Sequence, residues 1–447
     1  MNTHDTIAAP ATAIGGAVTI IRISGKNTLD ILNKVWQGKK TITTADARIM
    51  QLGKVAGEPA LSVFMPGPRS YTGEDVGEIH IHGGPVSASC TLQLLYEAGC
   101  RAAEAGEFTF RAFMNGKLDL TQAEAVADLV SSNSTISRNL ANSQLSGSLK
   151  RKIDELYELL DSLRSECEAR LDFPDEDLTF PPLETTSCTL IEEKIQSLLK
   201  TRKAGSNLRE GVKIVLAGHP NAGKSSLLNQ LVGFDRSIVS DIPGTTRDTI
   251  ESDTILRNIA VKLTDTAGLR DSDDPIEQLG VQRSKQSIES AAITFWLLDS
   301  TSKDKSEEIA KLENLSNANN TIAIWNKIDL LNNTEVENLP TVSVKTVKIS
   351  ALSGFGIKEL LDSFEELIWE GKVPHNLPDC AINARAADAL EKALAALTLA
   401  KENIAVNEIE LAAYDLATAA REVGLVTGRT VEPDLLDRVF SNFCIGK

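Results

Sequence analysis

Apolar-rich runs recur from the middle of the chain onward, Val212 to Ala217, Ile259 to Leu263 and Thr321 to Trp325, followed by a further short strand, Val344 to Ile349. Each run gives way to polar or glycine-bearing residues, the pattern of strands covered on both faces in a parallel sheet. After the first run, Ser226, Leu227, Leu228 and Leu231 have helical spacing, so strand, loop and helix follow in order. Residues 1 to about 118 are different. Short β-rich runs (Ala17 to Ile23, Leu61 to Phe64, Asp75 to Ile81) surround a predicted helix from Pro85 to Tyr96, which reads as a compact α+β domain. From Asp119 to Asp172 the period becomes helical, and Leu145, Leu149, Ile153, Leu156, Leu160 and Leu163 form one stripe on one long helix. The stretch Thr201 to Gly211 reads as a linker. Beyond about Val373 the chain is again rich in Ala and Leu, with Leu390, Leu394 and Leu397 on one face. The expected architecture is multidomain, α/β and α+β: an N-terminal domain over 1–118, a helical domain in two segments, 119–210 and 372–447, and a P-loop domain inserted between them over 211–371. The leucine stripes are helix packing and carry no chemistry.

Three strings sit where the predicted strands end: Gly218-His-Pro-Asn221-Ala222-Gly223-Lys224-Ser225, Asp265-Thr266-Ala267-Gly268 and Asn326-Lys327-Ile328-Asp329. The first has the form of a P-loop, in which backbone N–H groups from Asn221 through Ser226 and the helix N-terminus face phosphates. Lys224 reaches the β- and γ-phosphates, and the Ser225 hydroxyl suits Mg²⁺, a hard cation that takes oxygen ligands. Asp265 can hold the Mg²⁺ shell while the Gly268 N–H meets the γ-phosphate. A carboxylate at Asp329 accepts two hydrogen bonds from the N1–H and 2-amino groups of guanine. Adenine has no such donor pair. Ser350-Ala351, after a further strand, fits the remaining base-contact loop, so the nucleotide is GTP.

Leu269 follows Gly268, where Ras-type proteins place the glutamine that orients water, and a leucine cannot do this. Asn221 offers an amide oxygen beside the phosphates, although asparagine in such a loop also simply stabilises the turn. The segment Ser240-Asp241-Ile242-Pro243-Gly244-Thr245-Thr246 offers clustered carbonyls, and Thr246 for Mg²⁺. Such oxygens suit a monovalent cation that supplies the charge of an arginine finger. Glu277 lies in a charged stretch from Arg270 to Gln278, where it either swings in to orient water or is a solvated surface residue.

Length, 447 residues, allows about three domains of ordinary size. With 42% hydrophobic residues the chain has ample material for cores, and no apolar run approaches a bilayer span. No secretory signal is visible, so the expected location is cytoplasmic, with no membrane association. A net charge of −16 argues against broad electrostatic coating of nucleic acid and leaves a local patch as the way to bind RNA. Six cysteines without a CxxC spacing and only five histidines argue against structural zinc and a disulfide frame.

Motifs outside the central domain carry a resemblance. They are Arg22-Ile-Ser-Gly25, Tyr71-Thr-Gly-Glu-Asp75, His82-Gly-Gly-Pro85, Gly106-Glu-Phe-Thr109, Arg111 to Leu120, Asp172-Phe-Pro-Asp175 and the terminal Phe443-Cys444-Ile-Gly-Lys447. Over its whole length the chain resembles the MnmE (TrmE) family of tRNA-modification GTPases, which act on the wobble uridine. The resemblance implies a folate-binding N-terminal domain that forms a homodimer, with Arg22, Glu78, Lys117 and Lys447 contacting a 5-formyl-tetrahydrofolate-type one-carbon donor. It implies K⁺ held by Asn221 and Thr245 side chains and by Ser240 and Ile242 carbonyls, Glu277 as the catalytic acidic residue, and a hetero-oligomer with an FAD- and NADH-using partner of the MnmG (GidA) type. The terminal motif also implies that Cys444 reaches the one-carbon site as a thiolate; the plain alternative is a small buried apolar residue beside Phe443. Ile14 and Leu352 depart from the family, standing where a charged residue and a Lys or Arg are common. Two other functions compete with the expected one: a ribosome-assembly regulatory GTPase, and a folate-dependent transferase in which GTP is a structural ligand.

Overall fold

The computed structural model describes residues 5–172, 183–234, 251–265, 288–315, 317–369, 379–430, 433–441 and 443–446. The chain packs into two compact units, Met1–Val130 with Ser143–Ser197 and Arg385–Lys447 in one, and Ser131–Asn142 with Leu198–Ala384 in the other.

The first unit opens with a seven-stranded sheet: β1 (Ile7–Pro10), β2 (Val18–Ser24), β3 (Gln37–Gly38), β4 (Gln51–Val55), β5 (Glu58–Met65), β6 (Val76–His82) and β7 (Arg101–Ala102), in the order β3-β4-β5-β6-β2-β1-β7. All pairings are antiparallel except β1 with β7. Alternation sorts the faces. Ile21, Ile23, Ile79 and Ile81 pack with Leu32 of α1 (Thr28–Val35) and Leu95 of α2 (Pro85–Ala98), which leaves Arg22 and its register partner Glu78 on the opposite face. Helix α2 starts on Pro85 and stops at Gly99, whose φ of 118° suits glycine.

Helix α3 (Glu107–Met114) is held by ions rather than by apolar packing alone. Arg111 and Glu107 are both fully buried. The Arg111 guanidinium meets Glu107 at 2.9 Å, Asp5 at 2.8 Å and Glu74 at 3.1 Å, and Arg101 adds pairs to Asp5 and Glu107, both at 2.7 Å. Hydrogen bonding from Arg101 keeps the Asp5 carboxyl below its ordinary range despite burial. Burial pushes Glu107 up, but bonds from Arg101, the Glu104 N–H and Arg111 outweigh it and the carboxyl is lowered.

Helices α4 (Leu120–Ser131), α5 (Thr135–Leu145), α6 (Ser148–Asp172), α7 (Thr186–Leu199) and α8 (Arg202–Glu210) follow. Two sequence expectations are corrected here. The single stripe is broken at Gly147, with φ +83°, so Leu145 belongs to α5 while Leu149 to Leu163 lie on α6. The expected linker is α8. Its glycine serves close packing, since a Cβ on Gly205 would stand 2.8 Å from that of Ala381, and Leu208 is buried.

The second unit is built on β8 (Val212–Gly218), β9 (Glu251–Leu256), β10 (Ile259–Asp265), β11 (Ile293–Asp299), β12 (Thr321–Asn326) and β13 (Lys345–Lys348), in the order β13-β12-β11-β8-β10-β9, parallel except for β9. Among the described residues, α9 (Lys224–Phe234), α10 (Lys305–Leu315), α11 (Asn333–Glu337) and α12 (Ile357–Ile368) accompany these strands, and α8 belongs to the same unit. One face packs Leu227, Leu231, Leu360 and Phe364 against the strands; the other packs Leu312 against Trp296 and Trp325. Cover on both faces explains the apolar-rich runs. The chain returns to the first unit with α13 (Ala384–Ala405), α14 (Ile409–Thr427) and α15 (Pro433–Phe440). Arg385 pairs with Glu124 of α4 and donates to the carbonyls of Leu425 and Val426 at the end of α14. Among the described residues no helix is long and apolar enough to cross a membrane.

Arg111→Met removes the cation shared by three carboxylates, and breaking such a buried pair costs about 3–5 kcal/mol. Urea unfolding should show that loss; less than about 1 kcal/mol would contradict it. Because Asp5 and Glu107 have lowered pKa values in the fold, their contribution is complete above the ordinary carboxylate range and disappears as pH falls through the folded values. The unfolding midpoint of the unaltered chain should therefore drop below about pH 4, and drop less steeply in the variant.

Candidate functional site

Every described residue of the GTP strings lies at the carboxyl end of the parallel sheet, the position where open α/β sheets bind ligands. Strand β8 ends at Gly218 (φ +131°), where a Cβ would meet the Leu297 carbonyl at 2.2 Å. The P-loop then turns through Asn221 at φ 67° and Gly223 at φ 97° into α9. A Cβ on Gly223 would stand 2.2 Å from the Asn326 amide nitrogen, so both the turn and the packing require glycine. Lys224 curls over its own loop, donating to the carbonyls of Gly218 (2.9 Å) and His219 (3.0 Å). Asn221, Ser225 and Ser226 are exposed at the mouth of the loop.

Asn326, 2% exposed, joins the two halves of the site. Its amide donates to the Ala222 carbonyl at 2.8 Å and accepts from the Ala351 N–H at 2.9 Å, which fixes the P-loop against the loop Ser350–Ala351. Lys327 takes a left-handed backbone, φ 65°, and pairs with Asp299 at 2.6 Å. Asp329, two residues on, is exposed and makes no hydrogen bond or ion pair with a described residue. Asp265 closes β10 beside β8, in register with Leu216. Ser240, Asp241, Ile242, Pro243, Gly244, Thr245, Thr246, Thr266, Ala267, Gly268, Glu277 and Lys447 lie outside the described residues. The sequence reading missed Asp299, whose one signal was an aspartate ending an apolar run.

In the first unit Arg22 and Glu78 face each other on β2 and β6, with Arg22 Nε donating to Glu78 Oε1 at 3.0 Å. Glu78 Oε2 lies 3.5 Å from His80 Nε2. The Arg22 guanidinium stands 5.3 Å from the Tyr71 ring centre and 5.8 Å from that of Phe108. A cavity of about 250 Å³ opens beside it, lined by Ala11, Arg22, Tyr71, Val126, Leu129, Val130 and Leu145. Tyr71 is pinned through its hydroxyl to Thr109 at 2.8 Å. Burial raises its pKa, so the phenol stays neutral. Lys117 is engaged elsewhere, donating to the Pro68 carbonyl at 3.1 Å.

The C-terminal segment docks on this unit. Phe440 and Phe443 pack with Phe110, Ile445 bridges to Ala105, and a Cβ on Gly446 would meet the Pro10 carbonyl at 1.9 Å, next to Ala11 of the cavity wall. Cys444 is exposed, so the plain alternative of a small buried residue does not hold: Phe443 turns inward and the next side chain turns out.

Asn326→Ala leaves the Ala222 carbonyl and Ala351 N–H without their partner, each loss costing about 1–3 kcal/mol when buried. The second unit should melt at lower temperature, and fluorescent GDP should bind at least about 10-fold more weakly because the two loops lose their register. Unchanged GDP binding would contradict this role.

Residues 6–117 match the family described as GTP-binding protein TrmE N-terminus, and residues 120–444 match the MnmE helical domain. The tRNA modification GTPase MnmE of Clostridioides difficile (strain 630) is 41% identical over 460 residues, 99% of this chain and 99% of that protein. The same-named protein of Natranaerobius thermophilus is 40% identical over 458 residues, with all of both chains covered. Among solved structures, an Era variant of Aquifex aeolicus bound to GDP.AlF4- covers 42% of this chain and 67% of its own at 26% identity, with a TM-score of 0.28, too low to carry an argument. Likeness at this level over the full length, through the N-terminal and helical segments as well as the GTP strings, shows that the chain belongs to the MnmE (TrmE) family of tRNA modification GTPases.

Proposed function

We propose that this GTPase couples GTP hydrolysis to modification of the tRNA wobble uridine at C5, as aminomethyl or carboxymethylaminomethyl, with a folate as one-carbon donor. The observation that carries the proposal is the union, in one chain related to such GTPases over 99% of its length, of a GTP sheet end with a separate cavity built on Arg22 and Tyr71. The work is divided among 1–118 for folate and dimer contact, 119–210 and 372–447 for the helical frame, and 211–371 for GTP.

In the GTP site Lys224 and the P-loop N–H groups receive phosphate, Asp329 reads guanine, and Ser225 with Thr246 would hold Mg²⁺. Asn221 and Thr245, with the Ser240 and Ile242 carbonyls, would hold K⁺. The exposed Asn221 amide at the loop mouth fits that donor set. Such a cation supplies positive charge beside the phosphates, the part played elsewhere by an arginine finger. Glu277 orients water in place of a glutamine.

Folate contact is assigned to Arg22, Glu78, Lys117 and Lys447: Glu78 would accept from the pterin N–H groups, and the cations, Lys117 on leaving the Pro68 carbonyl, would meet the carboxylates. At about 250 Å³ the cavity is slightly below the usual range for small-molecule pockets, a size for part of the ligand rather than the whole. Folate supplies the carbon, and the exposed Cys444 supplies the thiol for the one-carbon chemistry. Leu52, Leu61 and Val18 are exposed on the sheet face away from α1 and α2, which supports a homodimer through 1–118. A partner carrying FAD completes the hetero-oligomer. tRNA binds through local contacts, in the cytoplasm.

Reconstitution with tRNA, a folate donor and the FAD- and NADH-using partner tests the whole scheme. Modified uridine should form with GTP and not with a non-hydrolysable analogue, whereas equal product with both would overturn it. Replacing K⁺ by Na⁺ should slow single-turnover hydrolysis by at least about 10²-fold, an arginine finger at 10³–10⁵ being the upper guide; equal rates would exclude the cation's role. Cys444→Ser should keep hydrolysis and abolish modification, and normal modified-uridine levels would make the thiol dispensable.

A further inference from the structure

We propose that Asp299 is a positioning residue of the guanine site: by holding the Lys327 ammonium at the end of β11, it keeps that cation off Asp329 and leaves the Asp329 carboxylate open to the base. Asp299 is the last residue of β11 and lies in register with Asn326, and the next N–H, that of Ser300, donates to the Asn326 carbonyl at 3.1 Å. Strand and base loop are therefore joined at this point. The carboxylate is fully directed. Oδ2 accepts from Lys327 at 2.6 Å, Oδ1 accepts from the Thr301 N–H at 2.9 Å and the Thr301 hydroxyl at 2.7 Å, and the Asp299 N–H donates to Glu308 at 3.3 Å. Burial pushes its pKa up, but the bonds from Lys327 and Thr301 outweigh burial, so the group is ionised.

Lys327 has two acid neighbours to choose from. Asp329 is two residues away in the same turn, yet the ammonium takes Asp299, in a pair whose side chains are 31% and 17% exposed. A partly buried pair is screened less than a surface one and so outcompetes the exposed Asp329. Bidentate acceptance of the guanine N1–H and 2-amino groups needs both Asp329 oxygens uncommitted, and none of the described residues takes them. Without Asp299, Lys327 turns to Asp329 and competes with the base.

The proposal rests on Asp329 reading guanine, which Asp329→Asn tests by itself: unchanged GDP affinity there would overturn that reading and this proposal together. In the full-length chain, Asp299→Asn should weaken GDP binding about 10-fold, narrow the preference for GDP over IDP (inosine lacks the 2-amino group), and raise KM with kcat within about twofold. Asp299→Glu should recover most of the affinity. In a Lys327→Met background, Asp299→Asn should cost nothing further, because the competing cation is gone. Affinity within about twofold of the unaltered chain for Asp299→Asn, or its full loss repeated in the Lys327→Met background, would overturn the proposal. If Asp299→Asn alone does not fold, the comparison of Lys327→Met with the double variant decides: equal GDP affinity supports the proposal, and a further loss of about threefold or more overturns it.

Discussion

The buried amide of Asn326 spans 2.8 Å to the Ala222 carbonyl on one side and 2.9 Å to the Ala351 N–H on the other. It thereby sets the distance between the P-loop and the Ser350–Ala351 loop. A parallel sheet supplies the raw arrangement, since every strand it contributes to the site ends at the same edge. Loops leaving that edge still have many possible conformations, and fixing them costs entropy. Asn326 removes this freedom with one side chain, and Gly223 is tied to it, because any larger residue would collide with the amide. Lys327 and Asp329 follow directly on Asn326, so their placement depends on the same anchor.

The first unit solves a similar problem with charge. Arg111 reaches from α3 to Asp5, just before β1, and to Glu74 in the loop that carries Tyr71. Asn115 adds a bond to the Thr72 carbonyl at 2.8 Å. Tyr71 is therefore held against Arg22 by groups that do not touch the cavity. The C-terminal segment closes on the same unit through its phenylalanines and Gly446, which accounts for motifs at opposite ends of the sequence belonging together.

Much of this was legible in the sequence where a local pattern and the tertiary structure agree. The apolar-rich runs marked four of the five parallel strands, β8, β10, β12 and β13 but not β11, because helices cover both faces, and the glycine strings marked the turns because their backbone conformations favour glycine. Reading failed where packing overrode a local signal. Gly147 breaks a stripe that looks continuous, and Gly205, a linker signal by composition, lets α8 approach Ala381. Asn326 was marked by its motif, but its tie to two loops required three-dimensional neighbours. Asp299 had no local pattern to show that its partner is Lys327, twenty-eight residues on. The cavity wall from Val126 to Val130 likewise joins Arg22 only through the fold.

The GTP strings and the Arg22–Tyr71 cavity lie in separate units, each with its own anchor, and the proposed function couples the two. The most direct measurement is mass spectrometry of tRNA nucleosides from cells that lack this chain, with and without its return. The account predicts loss of C5-modified wobble uridine, restored by the unaltered chain and not by one disabled in GTP hydrolysis. Unchanged tRNA together with immature ribosomal subunits would contradict it.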